Sequence, residues 1–295
     1  MTARVTIGIP FLNAAAWLPL TIRSVFAQSI DDWELFLVDD GSTDASVGIA
    51  SSIRDERVHV IADGLHRGLS WRLNEITALA SAMFVARMDA DDLMHPQRLA
   101  RQLAEFDRHG QLDVCASVAI TIDECNRPLG LRGVAMPPAS ALSVFAHGLF
   151  VHPTVMFRRD WALRHPYSDR YARAADRHLW CSCFPHLTFS VVDEALLFYR
   201  DPAPIRLGPY LATNRFVRQL IRELGPQHLG WVQRTSLALR SHLADAAHRA
   251  ASLSGTDRVL LRRRYSALSG MEVRRYDEVL AHIARTFVPG VDRAE

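Results

Sequence analysis

The 295-residue sequence contains no lysine, only four cysteines and no long apolar run. Every basic side chain other than histidine is therefore arginine. The formal charge of +2 is close to neutral, so a nucleic-acid-binding surface is not predicted. The four thiols, Cys115, Cys125, Cys181 and Cys183, are too few for a disulfide scaffold in a chain of this length. Cys181 and Cys183 have no second pair at zinc-site spacing, so they indicate buried thiols in a reducing cytosol.

No stretch approaches the roughly 20 apolar residues that a membrane-spanning helix needs. The N-terminus also lacks the charged region, apolar run and cleavage site of a signal peptide. We therefore expect a cytoplasmic protein, soluble or peripheral to the membrane. Hydrophobic residues make up 49% of the chain and charged residues 22%, as in an ordinary globular protein with a sizeable core. This length fits one large α/β domain, or one domain with an appended subdomain.

Buried strands alternate with helical patterns through the first third of the chain. Residues 5–9, 33–38 and 57–61 are strand-like, and helical spacing follows each of them. This alternation predicts an α/β fold with a doubly wound, mostly parallel sheet. Pro10 is expected to end the first strand, because proline cannot donate to a central ladder. Asn13 is expected to cap the next helix, and Pro19 suggests that this helix begins late or bends.

The pattern changes after Pro202 and Pro204. Before them, strands are predicted at residues 84–88, 113–122, 152–157, 189–192 and 196–200. After them, apolar residues recur at helical spacing over 211–224 and 273–287. The sequence therefore predicts an α/β domain over residues 1–204 and a helical C-terminal region over residues 205–295.

An acidic cluster follows the predicted strand at residues 84–88. Asp89, Asp91 and Asp92 lie where that strand gives way to a helix expected to open at Pro96. Ligands collect outside the carboxyl ends of parallel strands, where crowded carboxylates either repel one another or share a cation. Mg²⁺ and Mn²⁺ prefer oxygen ligands, so Asp89 and Asp91 are candidate ligands together with substrate phosphates. The alternative is that Asp91 or Asp92 only caps the helix.

A second acidic loop, residues 39–44, follows the second strand. A strand, an acidic loop containing glycine and a helix form half of a nucleotide-binding unit, here without the Gly-x-Gly-x-x-Gly of dinucleotide sites. A carboxylate in this loop can accept the imide N–H of uracil or a ribose hydroxyl, while Gly41 lets the backbone come close. The alternative is that Asp39 and Asp40 form a turn and Asp44 caps the helix.

These segments, in their order and spacing, resemble the inverting nucleotide-sugar glycosyltransferases of the GT-A fold, glycosyltransferase family 2. The resemblance covers roughly residues 4–201. It includes segments 9–13, 38–44, 67–70, 86–92, 152–157 and 176–180, and it ends at Tyr199 and Arg200. It implies that Pro10, Asn13 and Asp40 line a uridine pocket, with Asp39 beside it.

The resemblance also implies the chemical roles of three aspartates. Asp89 and Asp91 would be the family's Asp-x-Asp pair, with Asp91 in direct contact with a Mn²⁺ or Mg²⁺ ion that bridges the donor diphosphate. Asp176 matches the family's catalytic base, although such a residue considered alone is a helix cap. The family commonly has glutamate before this base, and here the residue is Ala175. The tuning of the base is therefore left open.

The implied reaction is a single displacement with one base, which inverts the anomeric centre. We expect one sugar to move per encounter from a nucleotide sugar, a UDP-sugar in the first instance, to a carbohydrate or lipid-linked acceptor in bacterial polysaccharide, cell-envelope or glycoconjugate synthesis. His152 and His178 contact phosphate or acceptor in one interpretation and are structural in the other.

Two other functions remain as alternatives. A nucleotidyltransferase or pyrophosphorylase also pairs a nucleotide site with metal-binding acids, although the chain has no basic, glycine-rich loop near its start. A non-catalytic nucleotide-sugar-binding scaffold is the second. In the helical region, the arginines at 262–264, 274 and 275 lie beside apolar stripes. They predict contact with anionic lipid at the inner membrane face or, in the alternative, a solvated basic face. Homo-oligomer formation is left open.

Overall fold

The computed structural model describes residues 3–133, 140–201, 207–254 and 265–292. Its strands are β1 (Val5–Phe11), β2 (Trp33–Asp39), β3 (Val58–Ile61), β4 (Phe84–Arg87), β5 (Leu93–Met94), β6 (Val114–Ile122), β7 (Pro128–Arg132), β8 (Met156–Arg158) and β9 (Phe189–Arg200). Its helices are α1 (Leu18–Phe26), α2 (Ser46–Ser51), α3 (Leu69–Leu79), α4 (Arg98–Arg108), α5 (Ala141–His147), α6 (Arg159–Arg164), α7 (Ala175–Cys183), α8 (Leu207–Glu223), α9 (Gly225–His228), α10 (Trp231–Ser254) and α11 (Gly270–Arg285). Short 3-10 helices span His152–Thr154, Asp169–Tyr171 and Phe184–His186.

All these strands join one sheet in the order β3-β2-β1-β4-β8-β6-β9-β5, with β7 paired to β6. The first four strands of this order run parallel, and β6 and β9 are also parallel to each other. β8 runs antiparallel between β4 and β6, and β5 and β7 are antiparallel additions. The predicted α/β fold with a mostly parallel sheet is confirmed.

The sheet is covered on both faces, which explains the apolar runs that predicted its strands. Every residue of β1, β2 and β6 is buried, as expected where helices lie on both sides. One face packs against α1 and α4. The other packs against α3, α5, α7 and α8. The loops at the carboxyl ends of the parallel strands are left to form a site.

Pro10 does not end the first strand, because β1 continues to Phe11 beside β2. The neighbouring β4 pairs only with residues 5–8, and the Gly8 carbonyl accepts the N–H of Met88. Alternate residues of a strand direct their polar groups to the same neighbour. The missing N–H of Pro10 therefore faces a side where β4 has already ended, and no ladder hydrogen bond is lost.

Asn13 does not cap α1, which begins at Leu18 with Trp17 before it. The suggestion from Pro19 that this helix begins late is confirmed, since the proline occupies its first turn. Asn13 instead adopts a left-handed backbone, with φ of 51°. Asparagine tolerates this conformation better than most residues, and the chain turns there toward the β2 loop.

Two further local predictions are wrong. The loop after Asp92 leads into the short strand β5, so the helix begins at Arg98 and not at Pro96. Residues 152–157 are not one strand, because a 3-10 turn precedes β8. Pro153 fits the first turn of a helix, and the carbonyl of Thr154 accepts the side-chain amide of Gln102 at 2.8 Å. A contact from α4 thus fixes a turn that the local pattern does not show.

The C-terminal helices pack in two places. α8 and α10 pack against each other, and both contribute residues to the core cluster that also contains α7. α11 instead packs on α1, where Nη1 of Arg23 donates to Asp292 at 2.7 Å. No helix among the described residues is both long and apolar enough to cross a bilayer. The predicted boundary at residue 204 and the arginines at 262–264 lie outside the described residues.

Candidate functional site

A cleft of about 550 Å³ opens at the carboxyl ends of β1, β2 and β4. In α/β folds this edge of a parallel sheet is where ligands bind. Five of the predicted site residues line the cleft: Pro10, Asn13, Asp40, Asp89 and Asp91. The two acidic loops therefore face one cavity, which we call the first cleft.

Asp40 is fixed at the wall of the first cleft by several donors. Its carboxylate accepts the backbone N–H groups of Arg67 at 2.8 Å and Gly68 at 3.0 Å. It also accepts Nε of the fully buried Arg72 at 3.1 Å. Nδ1 of His66 lies 3.0 Å from the other carboxylate oxygen. The position of Asp40 is thus set by the loop before α3.

Asp39 and Asn13 join the loops that form the first cleft. Asp39 is only 2% exposed, and it accepts the backbone N–H groups of Gly41 at 3.1 Å and Ser42 at 3.0 Å. It therefore makes the turn, as in the alternative interpretation of this loop. The Asn13 Oδ1 accepts the N–H of Thr43 at 2.8 Å. This bond ties the β1 loop to the β2 loop.

Asp89 and Asp91 differ in how their charge is neutralised. Asp89 receives both terminal nitrogens of Arg87. Burial alone would lower the pKa of Arg87, but the charge of Asp89, its hydrogen bonds and the charge of Asp92 act together to raise that pKa. The carboxylate of Asp91 accepts no hydrogen bond from any other described residue. Burial, helped by the charge of Asp89, raises the pKa of Asp91 to about 6.

Asp92 lies fully buried behind this pair. Its Oδ1 accepts the backbone N–H of Arg200 at 2.8 Å, while its Oδ2 has no partner within the described residues. Burial, with the charges of Asp89 and Asp91, raises the pKa of Asp92 well above the ordinary range. The β4 loop therefore holds more carboxylate than its donors neutralise, and a bound cation would relieve this excess.

Arg200 closes the first cleft at the end of β9. Its Nε donates to the carbonyl of Asp91 at 2.8 Å, and Nη1 donates to the carbonyl of Asp123 at 2.7 Å. Its guanidinium also lies 4.1 Å from the ring centre of Trp17. Sequence reasoning gave Arg200 no role, because its partner Asp91 is 109 positions earlier in the chain. Arg87 was also missed, although it lies on the buried strand two positions before Asp89.

A second cleft, of about 620 Å³, adjoins the first. The two share Leu69, Asp89 and Tyr199. Asp176 lines the second cleft from the first turn of α7, and no described residue donates a hydrogen bond to its carboxylate. Ala175, at the position where the family commonly has glutamate, is also part of the lining. Asp89 thus lies between the β-strand loops and Asp176.

Five basic side chains line the second cleft together with Asp176, namely Arg87, Arg132, Arg173, Arg177 and His147. Arg132 is paired with Asp201 at 2.8 Å, and Arg177 donates to the carbonyl of Ala146 at 3.3 Å. The lining therefore carries more positive than negative charge. Such a surface favours a substrate that bears anionic groups.

The two predicted histidines differ in position. His152 lines the second cleft, and its Nε2 lies 2.8 Å from the hydroxyl of Tyr167. Burial, helped by the charge of Arg87, lowers the pKa of His152 far enough to leave it neutral at pH 7. His178 stacks on Tyr171 with ring centres 4.4 Å apart. This contact favours a structural role for His178.

A divalent cation would find its protein ligands in Asp89 and Asp91. The described part of the chain contains no group of three histidine, cysteine or acidic side chains arranged for a metal. Mg²⁺ commonly needs only one or two carboxylates, with substrate phosphates and water completing its shell. The incompletely neutralised pair in the first cleft fits that requirement.

The fold and the paired clefts define an α/β protein with the GT-A type of fold. The structure of residues 1–349 of Staphylococcus aureus TarS bound to UDP-GlcNAc superposes with a TM-score of 0.61 at 16% identity, covering 97% of this chain and 81% of that one. The mannosyltransferase PcManGT from Pyrobaculum calidifontis, bound to GDP-Man and Mn²⁺, gives 0.59 at 15% identity, covering 96% and 86%. At these identities the likeness establishes the fold alone.

The sequence gives the family. Residues 6–162, more than half of the chain, match Glycosyl transferase family 2, and the chain belongs to that family. EpsE of Bacillus subtilis, provisionally named a glycosyltransferase, is 31% identical over 160 residues, which are 52% of this chain and 56% of EpsE. The succinoglycan biosynthesis protein ExoO of Rhizobium meliloti is 29% identical over 157 residues, 53% and 44% of the two chains. The match thus spans about half the length of these relatives.

Proposed function

We propose that this protein moves one sugar from a nucleoside-diphosphate sugar to an acceptor hydroxyl, with inversion at the anomeric carbon. The observation that carries the proposal is the position of Asp89, which lines both clefts. Asp40 and Asn13 lie on one side of it and Asp176 on the other. A diphosphate beside Asp89 would therefore have its nucleoside in the first cleft and its sugar toward the second.

The nucleoside would be held by the β1 and β2 loops. Asp40 and Asn13 offer oxygen acceptors, and Pro10 offers an apolar edge. An aspartate can accept the imide N–H of uracil, which favours UDP as the carrier. TarS with UDP and UDP-GlcNAc, and PcManGT with GDP-Man, support a nucleotide sugar as the class of donor. Asp39 would act behind the site, by holding the turn.

Asp91 would be the direct ligand of a Mn²⁺ or Mg²⁺ ion, with Asp89 beside it. The raised pKa of Asp91 supports a cation site, because no cationic side chain among the described residues donates a hydrogen bond to this carboxylate. When bound, the ion would neutralise the negative charge that develops on the leaving diphosphate. Arg87 and Arg200 fix the positions of the Asp89 side chain and the Asp91 backbone.

Asp176 would act as the base that removes the proton of the acceptor hydroxyl. Apart from Asp89, it is the one carboxylate among the described residues that line the second cleft. Attack from this side, with departure of the diphosphate on the other, inverts the anomeric centre. We propose a carbohydrate or lipid-linked acceptor, consistent with the named role of ExoO in succinoglycan biosynthesis. Cytoplasmic location is part of the same proposal.

The test is release of nucleoside diphosphate from a panel of UDP- and GDP-sugars, with and without Mn²⁺, by the whole chain. We expect Asp176→Asn to lower turnover by about 10²- to 10⁴-fold, the usual contribution of a general base. Donor binding, measured as a rise in melting temperature, should be retained. The matched control is Asp169→Asn, an exposed acid on the preceding 3-10 helix.

Each negative outcome has a definite meaning. Unchanged turnover in Asp176→Asn would remove the base assignment. Donor binding without any turnover in the unmodified protein would favour the scaffold alternative. Pyrophosphate release from a nucleoside triphosphate and a sugar phosphate would favour the nucleotidyltransferase, which the family assignment does not support.

A further inference from the structure

One face of α10 is apolar and uncovered by any described residue. Val232, Leu239, Leu243 and Leu253 are 67%, 58%, 60% and 91% exposed. They recur at spacings of seven, four and ten residues, which place them along one side of a helix. The opposite side packs on α8 through Leu237 and Asp245. A contiguous apolar stripe of this kind marks an interaction surface.

The exposed charges that border this stripe are all positive. Arg240 and Arg249 are exposed on α10. Its single acid, Asp245, is buried and bound by Arg218 at 2.8 Å and Asn214 at 2.6 Å. Exposed acids are therefore absent from the described length of this helix.

A basic groove continues this surface between α8 and α10. It is about 650 Å³ in volume, and Arg215, Arg222 and His242 line it beside Phe216. Glu223, at the end of α8, is already paired with Arg170 at 2.7 Å. The α10 stripe and this groove together form what we call the α8–α10 surface.

We propose that the α8–α10 surface docks on an anionic phospholipid membrane. An amphipathic helix with apolar and basic faces lies in the plane of the membrane, with its leucines among the acyl chains and its arginines at the headgroups. A second copy of this chain would bring like charges together along the same stripe, which opposes association. Charge complementarity therefore favours the lipid.

We place the lipid contact on the α8–α10 surface and not on α11. Arg274 and Arg275 are exposed there, but Asp277 and Glu278 are exposed beside them. A mixed surface of this kind gains little from anionic lipid, because attraction and repulsion largely cancel. On the α8–α10 surface no such cancellation occurs among the described residues. Docking there would also bring the second cleft near the bilayer, because Thr213 of α8 lines that cleft.

The experiment is co-sedimentation of the whole chain with vesicles, without donor or metal. We expect binding to vesicles of equal parts phosphatidylcholine and phosphatidylglycerol, and no binding to phosphatidylcholine alone. Leu239→Glu combined with Leu243→Glu should abolish binding. Replacing Arg240 and Arg249 by Gln should weaken it about fivefold per arginine, and added salt should do the same.

The matched control is Leu163→Glu, an exposed leucine on α6 at 43% exposure, which should bind as the unmodified protein does. Because all substituted side chains are exposed, each variant should keep its melting temperature, which is measured alongside. Absence of binding to the mixed vesicles would overturn the proposal, as would full binding by the double leucine variant. A concentration-dependent dimer in sedimentation velocity, lost in the same double variant and without vesicle binding, would instead assign the surface to a second copy.

Discussion

The two acidic loops of the first cleft look alike in sequence but differ in their hydrogen bonding. In the β2 loop, Asp39 and Asp40 each receive backbone N–H groups, and Asp40 also receives a buried guanidinium. In the β4 loop, only Asp89 receives a guanidinium, and Asp91 receives no donor from another described residue. One loop is fully bonded, and the other has a surplus of carboxylate.

The pKa values follow this difference. Burial and neighbouring carboxylates raise the pKa of Asp91 to about 6 and that of Asp92 well above the ordinary range. The two loops are alike in their number of aspartates, but they differ in the number of hydrogen-bond donors that reach those aspartates. The comparison teaches that an acidic loop suits a cation when its carboxylates are short of donors, and forms a fixed wall or turn when they are not.

The largest expected effect is at Asp91. Asp91→Asn removes the proposed metal ligand, so turnover at saturating Mn²⁺ should fall by about 10²- to 10³-fold. Without metal, the melting temperature should rise by a few degrees, because an ionised carboxylate with a raised pKa destabilises the fold. Nucleoside diphosphate release and thermal unfolding in chelator measure the two effects. Asp107→Asn, an exposed acid on α4, is the control. Normal turnover in Asp91→Asn would mean that this loop does not bind the metal.

The opposite effect is expected at Asp40, where removal of the acid should destabilise the protein. Asp40→Ala leaves two backbone donors and Nε of the buried Arg72 without an acceptor, and should lower the free energy of unfolding by about 3 kcal/mol. Asp63→Ala is the matched control, because Asp63 also binds Arg72, at 2.6 Å, but its side chain is 30% exposed. We expect a clearly smaller loss there, because solvent screens an exposed ion pair. Urea unfolding measures both, and equal losses would show that burial does not set the strength of the Arg72 pairs.

The pH dependence of stability should sharpen the same contrast. The pKa of Asp91 is about 6 in the folded protein against 3.8 ordinarily. Between these values the folded state keeps a proton that the unfolded state has lost, so stability falls as pH rises from about 4 to about 6. Asp92 contributes with the same sign.

Melting temperatures in chelator, recorded across this pH range, give the measurement. Asp91→Asn should have a flatter profile than the unmodified protein, and Mn²⁺ affinity in the unmodified protein should weaken below pH 6, since the ion and the proton compete. Parallel profiles for the two proteins would show that Asp91 ionises normally.

Much of the fold followed from local patterns, and much of the site depended on contacts that such patterns do not contain. The buried strands and the loops of Asp40 and Asp89 could be predicted, because the alternation of strand and helix patterns along the chain places a loop at the end of each strand. The role of Arg200 could not be predicted, because its partners lie on loops that only the pairing of β9 with β5 and β6 brings near. The prediction for Pro10 was wrong for a similar reason. The absent backbone N–H of Pro10 costs a hydrogen bond only where a neighbouring strand lies beside that residue.

The smallest expected effect separates the adjacent Asp39 and Asp40. Asp39→Asn keeps one oxygen for the turn and loses the charge that strengthens two backbone hydrogen bonds, so the free energy of unfolding should fall by about 1 kcal/mol. The rise in melting temperature caused by UDP and Mn²⁺ should be unchanged, because Asp39 lies behind the first cleft. Asp40→Asn, in the cleft wall, should reduce that rise. If Asp39→Asn instead abolished the UDP effect with the fold intact, Asp39 would contact the nucleotide, and the assignment of the turn to Asp39 and the nucleoside to Asp40 would be reversed.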